Sequence, residues 1–197
     1  MEQPALLEMR NITKEFPGVK ALDGVSLTVR PGTVHALMGE NGAGKSTTMN
    51  MLTGYLSSSG GQALINGVDI LEDPVRAKKD IGYLPEQPPL YLDMTVMEYL
   101  NFVYDLKKCK LPRKSHLAEI CSLVKITDVS RRVIRNLSKG YKQRVGLAQA
   151  LVGNPKVLIL DEPTAVLTPQ ETDKLFAILR NMRNAGKAIV IITHKMH

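Results

Sequence analysis

The feature that most constrains this chain is the run Gly39–Ser46, which reads G-E-N-G-A-G-K-S. It fits the pattern G-x-x-x-x-G-K-[ST] of a phosphate-binding loop, between an apolar run at Val34–Met38 and a helix-like run at Thr47–Leu52. Its glycines let backbone N–H groups turn toward an anion, and the positive end of the following helix dipole faces the same point. Lys45 adds a cation for the outer phosphates, and the Ser46 hydroxyl is suited to Mg²⁺. The run therefore predicts a Mg-nucleotide site built from a strand, a loop and a helix.

The charge and cysteine content limit the class of protein. The 197-residue chain has a formal net charge of +7, but its basic residues are scattered, so a solvated basic surface is expected and a nucleic-acid partner is not. Cys109 and Cys121 form no C-x-x-C motif, which argues against a zinc site and favours a reducing compartment. Because no apolar run approaches the roughly 20 residues of a membrane span, we expect a soluble chain whose membrane role comes through a partner.

The apolar pattern predicts two kinds of strand. Val157–Leu160 and Ala188–Ile192 are continuous apolar runs, as expected for strands buried on both faces of a parallel sheet. Shorter β-like runs within residues 5–29 are separated by Pro-Gly turns, which is typical of antiparallel strands. The sequence therefore predicts an α/β fold with a mostly parallel core sheet and an N-terminal antiparallel β subdomain.

A helical subdomain is expected within this fold. The residue pattern changes from strand-like to helix-like after residue 88, and Thr95–Glu98 has the capping-box pattern that opens a helix. Thr168–Glu171 has the same pattern with a proline at the first helical position. We expect one domain over residues 1–197, in which a core of residues 1–88 and 153–197 carries an inserted α-helical subdomain at 89–152.

Acidic residues follow the first of the parallel strands. Asp161 and Glu162 end the run that begins at Val157, at the sheet edge where α/β nucleotide sites place a Mg²⁺ ligand. Asp161 is expected to support the metal, and Glu162 to orient and activate the attacking water. His194 ends the last apolar run and is expected to polarise phosphate and water rather than bind metal. The sequence therefore predicts nucleotide hydrolysis as well as binding.

A second helix start could bind an anion. Leu137–Arg144 reads L-S-K-G-Y-K-Q-R, with Ser138 at the cap position of a helix. Ordinary capping is the alternative interpretation. If the segment lies on the far arm of the helical subdomain, it would serve a nucleotide held by another copy.

Four motifs follow one another in the order of a known family. They are G-E-N-G-A-G-K-S-T (Walker A), L-S-K-G-Y-K-Q-R (signature), V-L-I-L-D-E-P-T (Walker B) and I-T-H (switch histidine). With them, the whole chain resembles the nucleotide-binding domain of an ATP-binding cassette (ABC) ATPase. The resemblance implies a P-loop NTPase fold with ATP and Mg²⁺ as cofactors. It also implies that a second ABC ATPase domain completes an ATP sandwich, and that hydrolysis moves transmembrane permease subunits.

The resemblance also implies a role for residues in each motif. Those expected to bind nucleotide are Phe16, which would stack on adenine, and Gly39, Glu40, Asn41, Gly42, Ala43, Gly44, Lys45, Ser46 and Thr47. Those expected to contact the partner's nucleotide are Leu137, Ser138, Lys139, Gly140 and Tyr141. Ser46, Asp161 and either Gln87 or Glu86 are expected at the metal. Counting back from Leu90 favours Glu86, but the alternative stays open.

Different parts of the chain resemble different transporters. Residues 1–46, and those from Ala165 onward, are similar to simple-sugar importers of the ribose and xylose type. Residues 47–164 are similar to ATPases of ABC-2-type exporters and gliding-motility systems. The expected function is therefore the ATP-hydrolysing subunit of a transporter for sugar import or ABC-2-type export, peripheral on the cytoplasmic face of the cell membrane. Relatives usually continue past the segment that follows His194, so we expect a truncated C-terminus.

A soluble ABC protein that acts on DNA or ribosomes is the alternative. DNA-repair relatives insert long coiled coils or zinc modules between the Walker A and signature motifs, and the insert here is short. Ribosome-acting relatives carry two cassettes, and this sequence contains one. The transporter function is therefore preferred.

Overall fold

The computed structural model describes residues 3–39, 42–165 and 167–193. Its strands and helices alternate along most of the chain, except that three consecutive helices after residue 90 precede the last two strands. The strands are β1 (Leu7–Phe16), β2 (Val19–Val29), β3 (Val34–Met38), β4 (Gly60–Ile65), β5 (Val68–Asp69), β6 (Ile81–Leu84), β7 (Val157–Asp161) and β8 (Ala188–Thr193). The helices are α1 (Lys45–Leu52), α2 (Pro74–Lys79), α3 (Val96–Leu106), α4 (Arg113–Leu123), α5 (Lys139–Leu151) and α6 (Pro169–Asn184).

Among the described residues the strands form two sheets. One is antiparallel with the order β2-β1-β4-β5, and the other is parallel with the order β3-β8-β7-β6. The predicted α/β fold with a parallel core sheet and an antiparallel β subdomain is confirmed. The antiparallel sheet draws strands from both sides of α1, so it is not confined to the N-terminal segment that the sequence singled out.

The two longest apolar runs are divided between two hydrophobic cores. In β7 and β8, Leu158, Leu160, Ile189 and Ile191 pack with the cluster formed by α3 to α6. The alternate residues of the same strands pack with the cluster formed by the antiparallel sheet, α1 and α2. Successive side chains of a strand point to opposite faces, so a strand between two layers must be apolar at every position.

The helix starts confirm the local sequence signals. Thr95 and Glu98 form a complete capping box at α3, and Thr168 and Glu171 form another at α6. Helix α2 was not predicted, although its signal was present. Asp73 caps it by accepting a hydrogen bond from the Arg76 backbone N–H, and a proline occupies its first turn. Its six residues are too few for a hydrophobic period to show.

Helices α3 and α5 are joined by polar contacts as well as by the hydrophobic core. The Lys107 ammonium donates hydrogen bonds to the carbonyls of Gln149, Ala150 and Val152, at 3.1, 3.3 and 2.9 Å. These carbonyls end α5, where a cation is favourable because of the helix dipole. Burial of the ammonium lowers the pKa of Lys107 to about 8. Within the described ranges, no helix is both long enough and apolar enough to cross a membrane.

Candidate functional site

The carboxyl ends of β3, β8 and β7 meet at one edge of the parallel sheet. Met38 is in register with Thr193, and Asp161 with Ile192. Just beyond β7, the Glu162 backbone N–H donates to the Ile192 carbonyl at 2.8 Å. The Thr193 hydroxyl donates to Glu162 Oε2 at 3.1 Å. The register therefore brings the start of the phosphate-binding loop, the acidic end of β7 and the end of β8 to the same edge.

The loop after β3 has the backbone that its glycines predict. Gly42 and Gly44 have φ angles of +90° and +79°, and α1 starts directly after Gly44. The Lys45 ammonium donates to the Gly39 carbonyl, so its side chain folds back across the loop. Ser46 and Ala43 are exposed, and Thr47 is half-buried. The predicted residues Glu40 and Asn41 lie outside the described residues.

The loop is held against the antiparallel sheet at one position. A Cβ added to Gly44 would lie 2.8 Å from Leu22 Cδ2 and 3.0 Å from the Ala21 carbonyl oxygen. Among the described residues, a Cβ added to Gly42 would meet nothing within 4 Å. Both glycines occupy the left-handed region that L side chains disfavour. Alanine substitutions at the two positions therefore distinguish the cost of backbone strain from the cost of a steric contact.

We expect Gly44→Ala to destabilise the protein more than Gly42→Ala. Gly42→Ala should cost about 1 kcal/mol, because it adds only backbone strain. Gly44→Ala should cost about 2–4 kcal/mol, because it also crowds the rigid Ala21 carbonyl oxygen and the Leu22 side chain. Chemical denaturation of the two variants and the wild type measures the difference. Equal losses would show that β2 does not restrict the loop.

The electrostatics at the end of β7 involve several groups. The pKa of Asp161 is raised by burial first, then by the negative charges of Glu86 and Glu162, while a hydrogen bond from the Glu86 backbone acts in the opposite direction. Burial and the charge of Asp161 also raise the pKa of Tyr83 to about 12. Glu86 thus faces the candidate metal ligand. Both Glu86 and its neighbour Gln87 are exposed.

Glu162 has a strained backbone. Its φ angle is +43°, which is uncommon for a residue other than glycine. Such strain persists only where surrounding contacts hold it, and it concentrates at functional sites. Here the bonds to Ile192 and Thr193 hold it, and they place the carboxylate at the end of β8. His194, the next residue after Thr193, lies outside the described residues.

Phe16 lies on the antiparallel sheet, not on the parallel sheet that carries the loop and the carboxylates. Phe16 ends β1, is 42% exposed, and has the Lys14 ammonium 5.1 Å from its ring centre. It pairs with Val19 in the hairpin that leads to Leu22, the residue that touches Gly44. The antiparallel sheet therefore provides an exposed aromatic on the hairpin that adjoins the loop.

The start of α5 is capped as predicted. The Ser138 hydroxyl accepts from the Tyr141 backbone N–H at 3.3 Å. Leu137 and Gly140 are buried, and Lys139 is the first helical residue. The capping interpretation is thus correct for Ser138 in this structure, and anion binding at the same position stays a prediction.

One buried amide joins α5 to the acidic end of β7. Gln143 Nε2 donates to the Pro163 carbonyl at 3.4 Å, and Gln143 is only 3% exposed. Gln143 and Thr193 were not singled out by the sequence analysis. Thr193 had a signal, since it stands beside His194 at the end of an apolar run. Gln143 lies within the signature motif, but its partner Pro163 is 20 residues away, so no local pattern predicts this contact.

A separate cavity lies at the opposite ends of the strands. Its volume is about 410 Å³, and its lining includes His116, Asn154 and Lys187. Asn154 and Lys187 precede β7 and β8, so the cavity opens near the amino ends of these strands. His116 Nε2 accepts from the Gly153 backbone N–H at 3.0 Å. The cavity is therefore distinct from the edge that carries the loop and the carboxylates.

Comparison with known sequences identifies one family. The family model described as "ABC transporter" matches residues 22–165. The ribose import ATP-binding protein of Lactococcus lactis is 39% identical over 199 residues, and the alignment covers 96% of this chain and 40% of that protein. The galactose/methyl galactoside import ATP-binding protein of Fusobacterium nucleatum is 36% identical, and the alignment covers 97% of this chain and 39% of that protein. A ribose import ATP-binding protein of Streptomyces avermitilis is 40% identical, covering 97% and 38%.

These alignments bear on the expected division of the chain. They cover 96–97% of it, so they cross both positions, near Ser46 and Thr164, where the resemblance was expected to change. The chain spans about two fifths of the length of these curated relatives. The resemblance of the middle part to exporters stays a prediction.

Solved structures have the same fold. One cassette from Clostridium perfringens, part of an ABC transporter complex, superimposes with a TM-score of 0.88 at 29% identity, covering 98% of this chain and 80% of that one. A dimeric bacterial ABC transporter cassette superimposes with a TM-score of 0.84 at 25% identity, covering 96% and 88%.

Proposed function

We propose, from the premise that this chain belongs to the ABC transporter family, that it is the ATP-binding and ATP-hydrolysing cassette of a simple-sugar importer. The observation that carries the hydrolytic part is the shared edge of β3, β7 and β8. There the loop, Asp161 and Glu162 come together through strand register. The relatives named for ribose and galactose import support the sugar part.

The residues around the loop fit ATP and Mg²⁺. The left-handed glycines turn the loop around a space that backbone N–H groups can line, and α1 adds the positive end of its dipole. Lys45 would leave the Gly39 carbonyl for the outer phosphates. The exposed Ser46 hydroxyl and the Asp161 carboxylate are oxygen ligands suited to Mg²⁺. Bound Mg-ATP supplies the phosphoanhydride and the metal that polarises it.

Of the two candidates for the remaining metal contact, the structure favours Glu86. Both its carboxylate charge and its backbone N–H act on the pKa of Asp161, so Glu86 lies beside this carboxylate. Compared with an amide, a carboxylate at this position keeps an oxygen that can bind the metal but adds a negative charge. We therefore propose Glu86 rather than Gln87 at this position.

Glu162 would act on the attacking water. Its carboxylate is fixed by the Thr193 hydroxyl, and its backbone by the Ile192 carbonyl. A carboxylate held in this way can orient water and accept its proton. Thr193 would then be a positioning residue, and His194 would polarise the terminal phosphate from the end of β8.

A second cassette would complete the site. The dimeric neighbour supports an assembly of two cassettes. In such an assembly Ser138, Gly140 and the first turn of α5 would approach a nucleotide bound to the partner's loop. Phe16 would stack on adenine from the antiparallel sheet. Permease subunits, with the cassettes at the cytoplasmic face of the membrane, complete the proposed transporter.

Import is favoured over export because the sugar-import relatives align across both expected joins. Sugar uptake in the source organism tests this. A chromosomal Lys45→Ala change should reduce ATP-dependent uptake of labelled ribose, xylose or galactose by about tenfold or more, as expected when phosphate contacts are lost. A matched Lys174→Ala change on the exposed face of α6 should leave uptake unchanged. Normal uptake of all three sugars in the Lys45→Ala strain would contradict the import function.

A further inference from the structure

The carboxylate of Glu171 lies against the first turn of α5. Its Oε2 accepts from the Thr168 backbone N–H at 3.1 Å and from the Thr168 hydroxyl at 3.2 Å, which forms the capping box of α6. A Cβ built on Gly140 would lie 1.8 Å from Glu171 Oε1 and 2.5 Å from its carboxyl carbon. One side chain therefore caps α6 and reaches the start of another helix.

Gly140 permits this approach because it has no side chain. It is the second residue of α5, within the turn whose free N–H groups carry the positive end of the helix dipole. A negative charge is favourable there, so the Glu171 carboxylate stabilises α5 when no other anion is present. The capping box of α3 has the same Thr-x-x-Glu pattern, with Glu98 bonded to Thr95. No contact of Glu98 with a helix start other than its own is seen among the described residues.

The same place has a role in the proposed dimer. There the first turn of α5 faces the terminal phosphate of the partner's nucleotide. A resident carboxylate and an incoming phosphate would compete for the same dipole, and like charges a few ångströms apart repel.

We propose that Glu171 of α6 has a regulatory role. Its carboxylate occupies the start of α5, in the signature motif, while the cassette is unpaired, and it opposes closure of the ATP sandwich. This inference rests on the proposed function, because it requires a second cassette to bring its nucleotide to α5. The effect of Glu171 is to raise the ATP concentration needed for pairing. Its negative charge also neutralises the positive end of the α5 dipole while the cassettes are apart.

The test compares two matched substitutions. Glu171→Gln removes the charge but keeps an oxygen that can accept from Thr168, because glutamine also serves at this capping-box position. Glu98→Gln makes the same change in the capping box of α3. Each is combined with Glu162→Gln, which slows hydrolysis, and dimer formation is followed by sedimentation velocity across a Mg-ATP titration. Thermal unfolding confirms that the two double variants and the Glu162→Gln protein are folded.

We expect Glu171→Gln to lower the ATP concentration for half-maximal dimer formation about fivefold, a typical effect of one charge at a helix terminus. The difference should shrink at 0.5 M salt, because salt screens charge repulsion. Glu98→Gln should have no such effect. If both substitutions shift the titration equally, or neither does, the inference is wrong although the dimer stands. If the Glu162→Gln protein forms no ATP-dependent dimer, the proposed assembly fails and the inference falls with it.

Discussion

Glu162→Gln is expected to lower steady-state ATP hydrolysis by about 10²–10⁴-fold, the usual contribution of a positioned general base. Glutamine keeps the size of the side chain and can still accept a hydrogen bond from Thr193 Oγ1, but it cannot take a proton from water at neutral pH. The phosphate-binding loop and Lys45 are untouched, so ATP binding should be retained. The variant should therefore accumulate as an ATP-bound dimer, which size-exclusion chromatography with bound-nucleotide analysis would detect.

A matched control distinguishes the position of Glu162 from its charge alone. Glu72 is exposed in the segment before α2, and Glu72→Gln removes the same charge away from the edge of the parallel sheet. Its hydrolysis rate should equal that of the wild type. If the Glu162→Gln protein hydrolyses ATP at the wild-type rate, the role assigned to Glu162 is wrong, and the general base must be sought elsewhere.

Lys45→Ala is expected to weaken ATP binding by about 30- to 150-fold, because a hydrogen bond to a charged group contributes about 2–3 kcal/mol. The expected loss lies in nucleotide binding itself, not only in turnover. Isothermal titration calorimetry with Mg-ATP measures it directly. The bond from Lys45 to the Gly39 carbonyl means that the substitution also removes a contact within the free loop.

The stability of the variant shows how far that second contact matters. A thermal unfolding midpoint close to that of the wild type would assign the loss of affinity to the phosphates. Lys174→Ala, on the exposed surface of α6, is the matched control for the loss of a positive charge and should bind ATP normally. Unchanged ATP affinity in Lys45→Ala would contradict the phosphate-binding role of the loop.

Much of the fold follows from local sequence signals. The loop sequence predicted a strand, a turn and a helix, and β3, the glycine-rich loop and α1 have that order. The Thr-x-x-Glu patterns predicted two capping boxes, and both are present. These predictions succeed because each depends on residues close together in the chain, whose geometry is set by local hydrogen bonds and backbone preferences.

Other predictions needed information that local patterns do not contain. Helix α2 is too short to show a hydrophobic period, so its cap was the only signal. The choice between Glu86 and Gln87 depends on which one faces Asp161, about 75 residues further along the chain. The extent of the antiparallel sheet depends on β4 and β5 pairing across α1, which no short window contains.

The sequence by itself determined the chemistry available to this protein: a phosphate-binding loop, carboxylates after an apolar strand, and a capped second helix start. Only the tertiary structure decided which of these groups meet. The bond between Thr193 and Glu162 joins residues 31 positions apart, and the approach of Glu171 to Gly140 joins two different helices. Such contacts depend on strand register and on the packing of whole elements. The free energy of those arrangements comes from burying both faces of β7 and β8, and it is shared among many residues.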